Sequence, residues 1–160
     1  MSVTWKPFMI DPRTDKRGER YMAYNERRWG SDGWTEALRA KGRKCGAPFR
    51  NWTWWPHTLD AHRLMHFVSS RFGDDAAGAL KGALFDACYE QGCNISNHAC
   101  LAHVGAACLT DIVDEDGYTC AVTEGTLSQY LASEDGRAEV QRECREASQS
   151  GITGVPFFLV

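Results

Sequence analysis

An apolar face that repeats at helical spacing restricts what this chain can fold into more than any other feature. Through residues 76–88, apolar side chains recur at i, i+3, i+4, i+7, i+8, i+11 and i+12, which is the period of one face of an α-helix. A similar face occupies residues 61–72, and Gly73 separates the two. The spacing predicts two consecutive amphipathic helices, the first capped by Thr58 and the second ending near Gly92.

Weaker patterns on both sides of this segment predict further helices. Before it, short helices are expected to end at Gly30 and Gly46, because glycine commonly terminates a helix. After it, Ser96 is expected to open a helix, a second is expected through Leu127 and Leu131, and a third is expected from a Ser133 cap to Gly151. The middle of the chain is therefore predicted to be helical.

The two ends of the chain have a different pattern. The segment "SVTWKPFMI" alternates apolar and polar residues imperfectly, and "GITGVPFFLV" places Gly154, Val155 and Pro156 before an apolar run. Each is predicted to be a strand, since proline is tolerated at the first residue of a strand. A glycine-led proline is also a candidate for a cis peptide bond. Strand, helices and strand together predict an α/β architecture.

Composition excludes several classes of protein. A chain of 160 residues with 43% hydrophobic and 24% charged residues is typical of one globular domain. The net charge of −3 gives no bulk reason to expect nucleic acid or an anionic membrane as a partner. The longest apolar run is too short to span a bilayer, and the first residues lack the pattern of a signal peptide. We expect a cytoplasmic protein with no membrane and no nucleic-acid partner.

The chain contains seven cysteines, and no two of them form a Cys-x-x-Cys motif. In a cytoplasmic protein they are expected to be reduced. Five Cys and His residues cluster between 93 and 108, but their spacing matches no standard zinc site: Cys93, His98, Cys100, His103 and Cys108. His62 and His66 lack the glutamate of a His-Glu-x-x-His motif. We therefore expect scattered thiols and no bound metal.

Five basic residues precede three tryptophans between positions 39 and 55, a mixture that single-stranded nucleic-acid binders also show. The residues are Arg39, Lys41, Arg43, Lys44, Arg50, Trp52, Trp54 and Trp55. No recognised nucleic-acid motif accompanies them, and the whole chain is acidic. The favoured interpretation is a loop whose indoles pack on the helices.

Five segments, in this order, resemble the DsbA-like thioredoxin-fold family, and most closely its FrnE-type oxidoreductases and 2-hydroxychromene-2-carboxylate isomerases. They are "VTWKPFMIDP", "HTLDAHRLMHFV", "LKGALFDACYEQGCNIS", "YLASEDGRAEVQRE" and "SGITGVPFFLV". The resemblance implies a thioredoxin-like fold of DsbA type with a large helical insertion. It implies one partial domain over residues 1–160, in which residues 34–150 are mainly the insertion and its flanking helices.

The resemblance also implies an active centre. Val155 and Pro156 match the family's cis-proline loop, which presents an extended thiol or disulfide substrate such as a peptide or glutathione. His57 stands where the family usually has asparagine, so we expect it to face the substrate. The family's catalytic Cys-x-x-Cys, or serine in the isomerases, has no counterpart here. The sheet is expected to be incomplete at both ends, because the family's first strand, catalytic helix, last strand and last helix are absent.

Three functions follow from this resemblance. The first is a thiol-disulfide oxidoreductase that lacks its catalytic cysteines in this chain and needs no cofactor beyond glutathione as a candidate co-substrate. The second is a glutathione-dependent isomerase or transferase, and the third is a non-catalytic binding module. A redox centre formed by relocated cysteines such as Cys88 and Cys93 is disfavoured, because no cysteine is expected at a helix N-terminus that faces Pro156.

Overall fold

A computed structural model describes residues 3–110, 112–113, 119–120 and 122–158, apart from the side chains of the two short internal pieces. Helices account for most of these residues. The elements in chain order are β1 (Glu19–Arg20), α1 (Tyr21–Trp29), α2 (Thr35–Lys44), β2 (Trp54–Trp55), α3 (Leu59–Phe85), a π-helical turn (Asp86–Glu90), α4 (His98–Cys108), β3 (Ile112–Val113), β4 (Thr119–Cys120), α5 (Glu124–Ala132) and α6 (Arg137–Gln149).

The prediction of an α/β, thioredoxin-like fold is wrong for the described residues. Strands are limited to two antiparallel two-residue pairs, β1 with β2 and β3 with β4. Residues 3–10 form no strand, and polar groups of this segment form hydrogen bonds with side chains of α3 instead. The Thr4 hydroxyl donates to Asp74 at 2.6 Å, and the Phe8 carbonyl lies 3.2 Å from Nε2 of His62.

The predicted C-terminal strand is also absent over the residues that the structure describes. Residues 152–158 lie in turns and irregular backbone, and the last two positions of that prediction, 159–160, fall outside the described residues. Val155, Phe157 and Phe158 are 51%, 56% and 73% exposed. An apolar strand needs a neighbouring strand to satisfy its backbone groups and cover its side chains, and no described strand lies beside this segment.

The helical predictions are largely confirmed. Helix α3 runs on both sides of Gly73, whose φ of 81° and ψ of 176° interrupt the helical backbone at the predicted break. Gly30 ends α1 with a φ of 76°, in the left-handed region that glycine adopts without a steric penalty. The helix predicted to open at Ser96 begins at His98, with Asn97 as its cap. The helix predicted from a Ser133 cap begins later, at Arg137.

The main core lies between α3, α4 and α5. The apolar face that the sequence predicts for α3 supplies much of it, and α4 and α5 cover that face. The fully buried aliphatic members include Leu64, Val68, Leu80, Leu101, Leu127 and Leu131. Burial of such side chains is the dominant favourable contribution to folding.

A buried arginine connects α3 to the end of α5. Arg63 is completely buried, and its guanidinium donates to the backbone carbonyls of Tyr130, Leu131, Ser133 and Asp135 at 2.8–3.2 Å. It also donates to Oδ1 of Asp60 at 2.8 Å. The last carbonyls of a helix lack partners within the helix, so this side chain supplies donors that the end of α5 requires.

A second, aromatic core lies in the N-terminal part of the chain. Trp52 is 8% exposed and contacts five other rings. They are Tyr21 of α1, Trp34 at the N-cap of α2, Phe49 between α2 and β2, Trp55 of β2 and Tyr89 of the π-helical turn. The indole of Trp52 is thus buried, but mostly on other rings of the N-terminal region and not on the helical block as predicted. Its surroundings are mainly the aromatic rings of the N-terminal region, with Tyr89 as the contact from the helical block.

Within the described residues, no helix combines the length and the apolar character that crossing a lipid bilayer requires.

Candidate functional site

The N-termini of α3 and α4 lie side by side and bring several polar side chains together. His98 is the first residue of α4, and its Nε2 lies 2.8 Å from Oδ2 of Asp60 in the first turn of α3. Just before α3, the backbone N–H of His57 donates to the Ser96 hydroxyl at 2.8 Å. These two contacts join the N-termini of α3 and α4. The sequence alone did not relate the four residues that form them to one another.

A disulfide between Cys93 and Cys100 lies at this junction. Cys93 follows Gly92, whose φ of 74° turns the chain out of the π-helical turn, and the N–H of Cys93 donates to the Ala87 carbonyl at 2.8 Å. Cys100 lies in the first turn of α4, three residues after the cap residue Asn97. Both cysteines are partly exposed, so a thiol in solution has access to this region.

The cap of α4 fixes the position of Cys100. Oδ1 of Asn97 accepts hydrogen bonds from the N–H of Ala99 at 2.8 Å and of Cys100 at 3.4 Å. The N–H of Asn97 itself donates to the Asn94 carbonyl at 2.9 Å, so the feature of this terminus that acts on Cys100 is the positive end of the helix dipole. Such an environment favours a thiolate over a thiol.

The expectation of seven reduced cysteines is therefore wrong for Cys93 and Cys100. It rested on the expected compartment, which does not report which cysteines a turn brings together. Four described cysteines are free: Cys45, Cys88, Cys108 and Cys144. Burial raises the pKa of the Cys88 thiol to about 12 and also raises the pKa values of Cys108 and Cys144, which makes these three poor nucleophiles.

Asp60 holds the junction together electrostatically. Burial alone would raise the pKa of its carboxyl, but hydrogen bonds from Arg63 and His98 outweigh that effect and lower the pKa. Arg137 adds a cation 3.5 Å from Oδ1. Asp60 is therefore a carboxylate at neutral pH, and it fixes the His98 ring at the start of α4.

His57, predicted to face a substrate, lines a groove between the N-terminal segment and α6. The groove has a volume of about 440 Å³ and is lined by Met9, Leu59, Cys144 and Arg145 among other residues. Burial lowers the pKa of His57, against the opposing effect of Asp60. The ring is therefore neutral at pH 7 and offers a hydrogen-bond donor and an acceptor to a ligand in the groove.

Val155 and Pro156, the other two predicted site residues, lie on the exposed C-terminal segment. The peptide bond between them is cis, as predicted. No hydrogen bond or groove within the described part of the chain connects them to His57 or to the disulfide. Their predicted role in substrate binding thus remains a prediction.

The Cys and His cluster is divided among separate partners in the structure. Cys93 and Cys100 bond one another, His98 contacts Asp60, and Nδ1 of His103 lies 2.8 Å from Oε1 of Glu124. Among the described residues, no group of three metal-ligating side chains comes together.

Sequence reasoning missed the start of α4 by two residues, and with it the position of Cys100. The signal that could have identified it is Asn97, because asparagine is among the strongest N-cap residues and the capped N–H groups lie two and three positions later. Choosing Ser96 as the cap left Cys100 without a defined place at the helix N-terminus.

No protein-family model matches this chain, and no curated protein matches it significantly.

Proposed function

We propose that this protein carries out thiol-disulfide exchange, with Cys93 and Cys100 as its redox pair. The observation that carries the proposal is the position of the pair. It forms a partly exposed disulfide, and one of its cysteines, Cys100, lies in the first turn of a helix capped by Asn97. Redox-active cysteines are found in such environments because the helix N-terminus stabilises the thiolate.

Cys100 is the attacking residue of the reduced form. Its thiolate attacks one sulfur of a substrate disulfide, forming a mixed disulfide on Cys100 and releasing the other substrate sulfur as a thiolate. The Cys93 thiolate then attacks the Cys100 sulfur, releases the second substrate thiolate and restores the Cys93–Cys100 disulfide. The substrate gains two electrons from the protein, and two molecules of a small thiol such as glutathione return them.

Two further arguments support this chemistry. The resemblance of several sequence segments to the DsbA-like family points to thiol and disulfide substrates, although the architecture that the resemblance implied is not found. In the cytoplasm, where we expect this protein to work, protein disulfides are mostly transient and either catalytic or redox-sensing. A small thiol or an extended peptide remains the proposed substrate, with glutathione as the candidate co-substrate.

The test is reduction of a small aromatic disulfide by the protein with dithiothreitol as the electron source. We expect turnover with the wild type and its loss in Cys100→Ser. Cys93→Ser should give a mixed disulfide on Cys100 that mass spectrometry detects, because the resolving sulfur is missing. Cys45→Ser is the matched control, since Cys45 is exposed and free.

A purely structural Cys93–Cys100 disulfide would give a different result. The disulfide would resist millimolar glutathione, and the serine variants would lose stability without losing any catalysed reduction. That outcome would contradict the proposal and leave the non-catalytic binding module as the better account. An isomerase or transferase would instead keep its glutathione-dependent activity in Cys100→Ser.

A further inference from the structure

The charges of this chain are divided unevenly between its two parts. Residues 1–50 contain twelve Lys and Arg against six Asp and Glu, which gives +6, whereas residues 51–160 contain six against fifteen, which gives −9. The net charge of −3 hides this division. A local field of one sign attracts partners of the opposite sign even when the whole protein is acidic.

The strongest concentration of unpaired positive charge lies at the end of α2. Lys41, Arg43 and Lys44 are exposed, and none of them forms an ion pair with another described residue. Other cations of this region are neutralised locally; Arg27, for example, lies 2.7 Å from Glu19. The α2 cations are therefore available to a partner.

Two exposed indoles stand at the opposite end of α2. Trp29 and Trp34 are 54% and 45% exposed, and their ring centroids are 6.4 Å apart. Trp34 is held in place by a hydrogen bond from its Nε1 to Oδ1 of Asn25 at 2.7 Å and by edge contact with Trp52. The guanidinium of Arg28 lies 4.5 Å from the centre of the Trp29 ring. The rings thus form a fixed, accessible aromatic platform.

The platform and Lys41 lie along one side of the helix, with Lys44 about 80° around the helix axis from them and Arg43 on the opposite side. Trp34, Leu38 and Lys41 are spaced at i, i+4 and i+7, which places them on the same face, and Leu38 is 39% exposed. Seven residues of helix span about 10 Å. A ligand that lies along this face therefore contacts the ring of Trp34 at one end and the positive charge of Lys41 at the other.

We propose that this face of α2, together with Trp29, binds single-stranded nucleic acid. Fixed aromatic rings that stack bases, next to cations that contact phosphates, are the features that sequence-tolerant single-strand binding uses. An acidic peptide would use the cations but not the indoles. A lipid surface is disfavoured because exposed Glu26 and Glu36 interrupt the apolar residues. The inference does not depend on the thiol chemistry.

The test is fluorescence anisotropy of a labelled single-stranded DNA of about 12 nucleotides, a length within the ~4–16 that one small domain covers. Lys41→Glu/Lys44→Glu should weaken binding and lower the slope of log K against log salt by about 1.4, since each phosphate contact contributes about 0.7 for single strands. Arg71→Glu/Arg142→Glu makes the same charge change in the acidic part and should leave binding within about twofold.

The aromatic platform is tested separately. Trp29→Ala should weaken binding about tenfold, because stacking on one aromatic ring contributes about that much per base, and Trp29→Phe should restore most of it. Three results would each overturn the proposal. They are polyglutamate binding as tight as that of the oligonucleotide, binding to phosphatidylserine vesicles without binding to the oligonucleotide, and equal effects of the two double variants. Circular dichroism of every variant establishes that it is folded.

Discussion

The helical block formed by α3 to α6 and the aromatic N-terminal region bury their side chains in different ways. The block has an aliphatic core whose members recur at helical spacing. The N-terminal region instead surrounds Trp52 with rings at many angles, from stacked to perpendicular, on short and irregular elements. Helical periodicity in the sequence therefore identifies the aliphatic core of the block but gives little information about the aromatic core around Trp52.

The two regions also satisfy buried polar groups differently. The block uses one charged side chain, Arg63, to serve four carbonyls at the end of α5. The N-terminal region uses smaller pairs, such as the Tyr21 and Thr35 hydroxyls at 2.8 Å and the buried Asp11 carboxylate, which accepts from the Tyr24 hydroxyl at 3.5 Å. Loss of a buried charge-assisted donor costs more than loss of a neutral one, so the block depends more heavily on a single residue.

The largest predicted effect comes from Arg63→Met. It removes five hydrogen bonds at once, so the carbonyls of Leu131, Ser133 and Asp135 lose their guanidinium donor and the Asp60 carboxylate loses a cation. We therefore expect the free energy of unfolding to fall by about 3–5 kcal/mol. Urea denaturation followed by far-UV circular dichroism measures this. Arg71→Met, at an exposed position of the same helix, should cost less than about 1 kcal/mol. Similar losses for both variants would refute the capping role of Arg63.

The next largest effect tests the aromatic core. Trp52→Ala removes the ring at its centre, and we expect a loss of about 3 kcal/mol. Near-UV circular dichroism should lose most of its aromatic signal while the far-UV helical signal changes little. Trp29→Ala, which alters a ring that is 54% exposed, should retain both signals. Loss of the helical signal in Trp52→Ala would show that the two cores do not differ in this way.

This contrast explains how much of the fold the sequence predicted. The break at Gly73 and the helix end at Gly30 were predicted because glycine permits backbone angles that other residues avoid. The terminal strands were predicted wrongly, because alternation between Val3 and Ile10 cannot show whether a partner strand exists. In the structure, this segment instead bonds α3 through Phe8.

The candidate site was predictable only in part. His57 was expected to face a substrate; the structure places it in a groove, and its role in binding stays a prediction. The pairing of Cys93 with Cys100 could not be read from spacing, because it depends on how Gly92 turns the chain and on which residue caps α4. Long-range proximity of this kind is set by tertiary packing and leaves no local pattern in the sequence.

A pH-dependent contact joins the two regions. Burial lowers the pKa of His62 from its usual 6.5 to about 4. Between these two pH values the unfolded chain therefore binds a proton that the folded chain does not. Stability should therefore fall by about 2.5 kcal/mol as the pH falls from 6.5 to 4, with only a few tenths of a kcal/mol more lost from this group below pH 4. Urea denaturation at pH 7 and pH 4.5 measures most of this change.

The control for this prediction is His62→Gln, which keeps a donor for the Phe8 carbonyl and cannot titrate. It should show a smaller loss over the same range. Asp60 and Asp74 do not interfere, because their pKa values are lowered from 3.8 and their contributions are lost only below that pH. An unchanged pH dependence in His62→Gln would rule out this histidine as the titrating group.

The smallest predicted effect concerns the second link between the regions, which also lies within the disulfide loop. The Asn94 side chain donates to the Arg17 carbonyl at 2.8 Å and accepts from the N–H of Ser96 at 3.1 Å. Asn94→Ala should cost about 1 kcal/mol and speed amide exchange near Gly18 without affecting α4. Asn97→Ala is the contrasting control, because loss of that cap should cost about 1 kcal/mol in α4 and leave the turn at Gly18 protected.

The effect of Asn94→Ala should depend on the redox state. With Cys93 and Cys100 bonded, the loop is held at both ends and the hydrogen bonds of Asn94 are maintained, so the substitution has its full effect. In the reduced protein the loop is less constrained, and the same substitution should cost measurably less. Equal costs in both states would mean that the disulfide and the link to the aromatic region act independently, since coupled sites are non-additive.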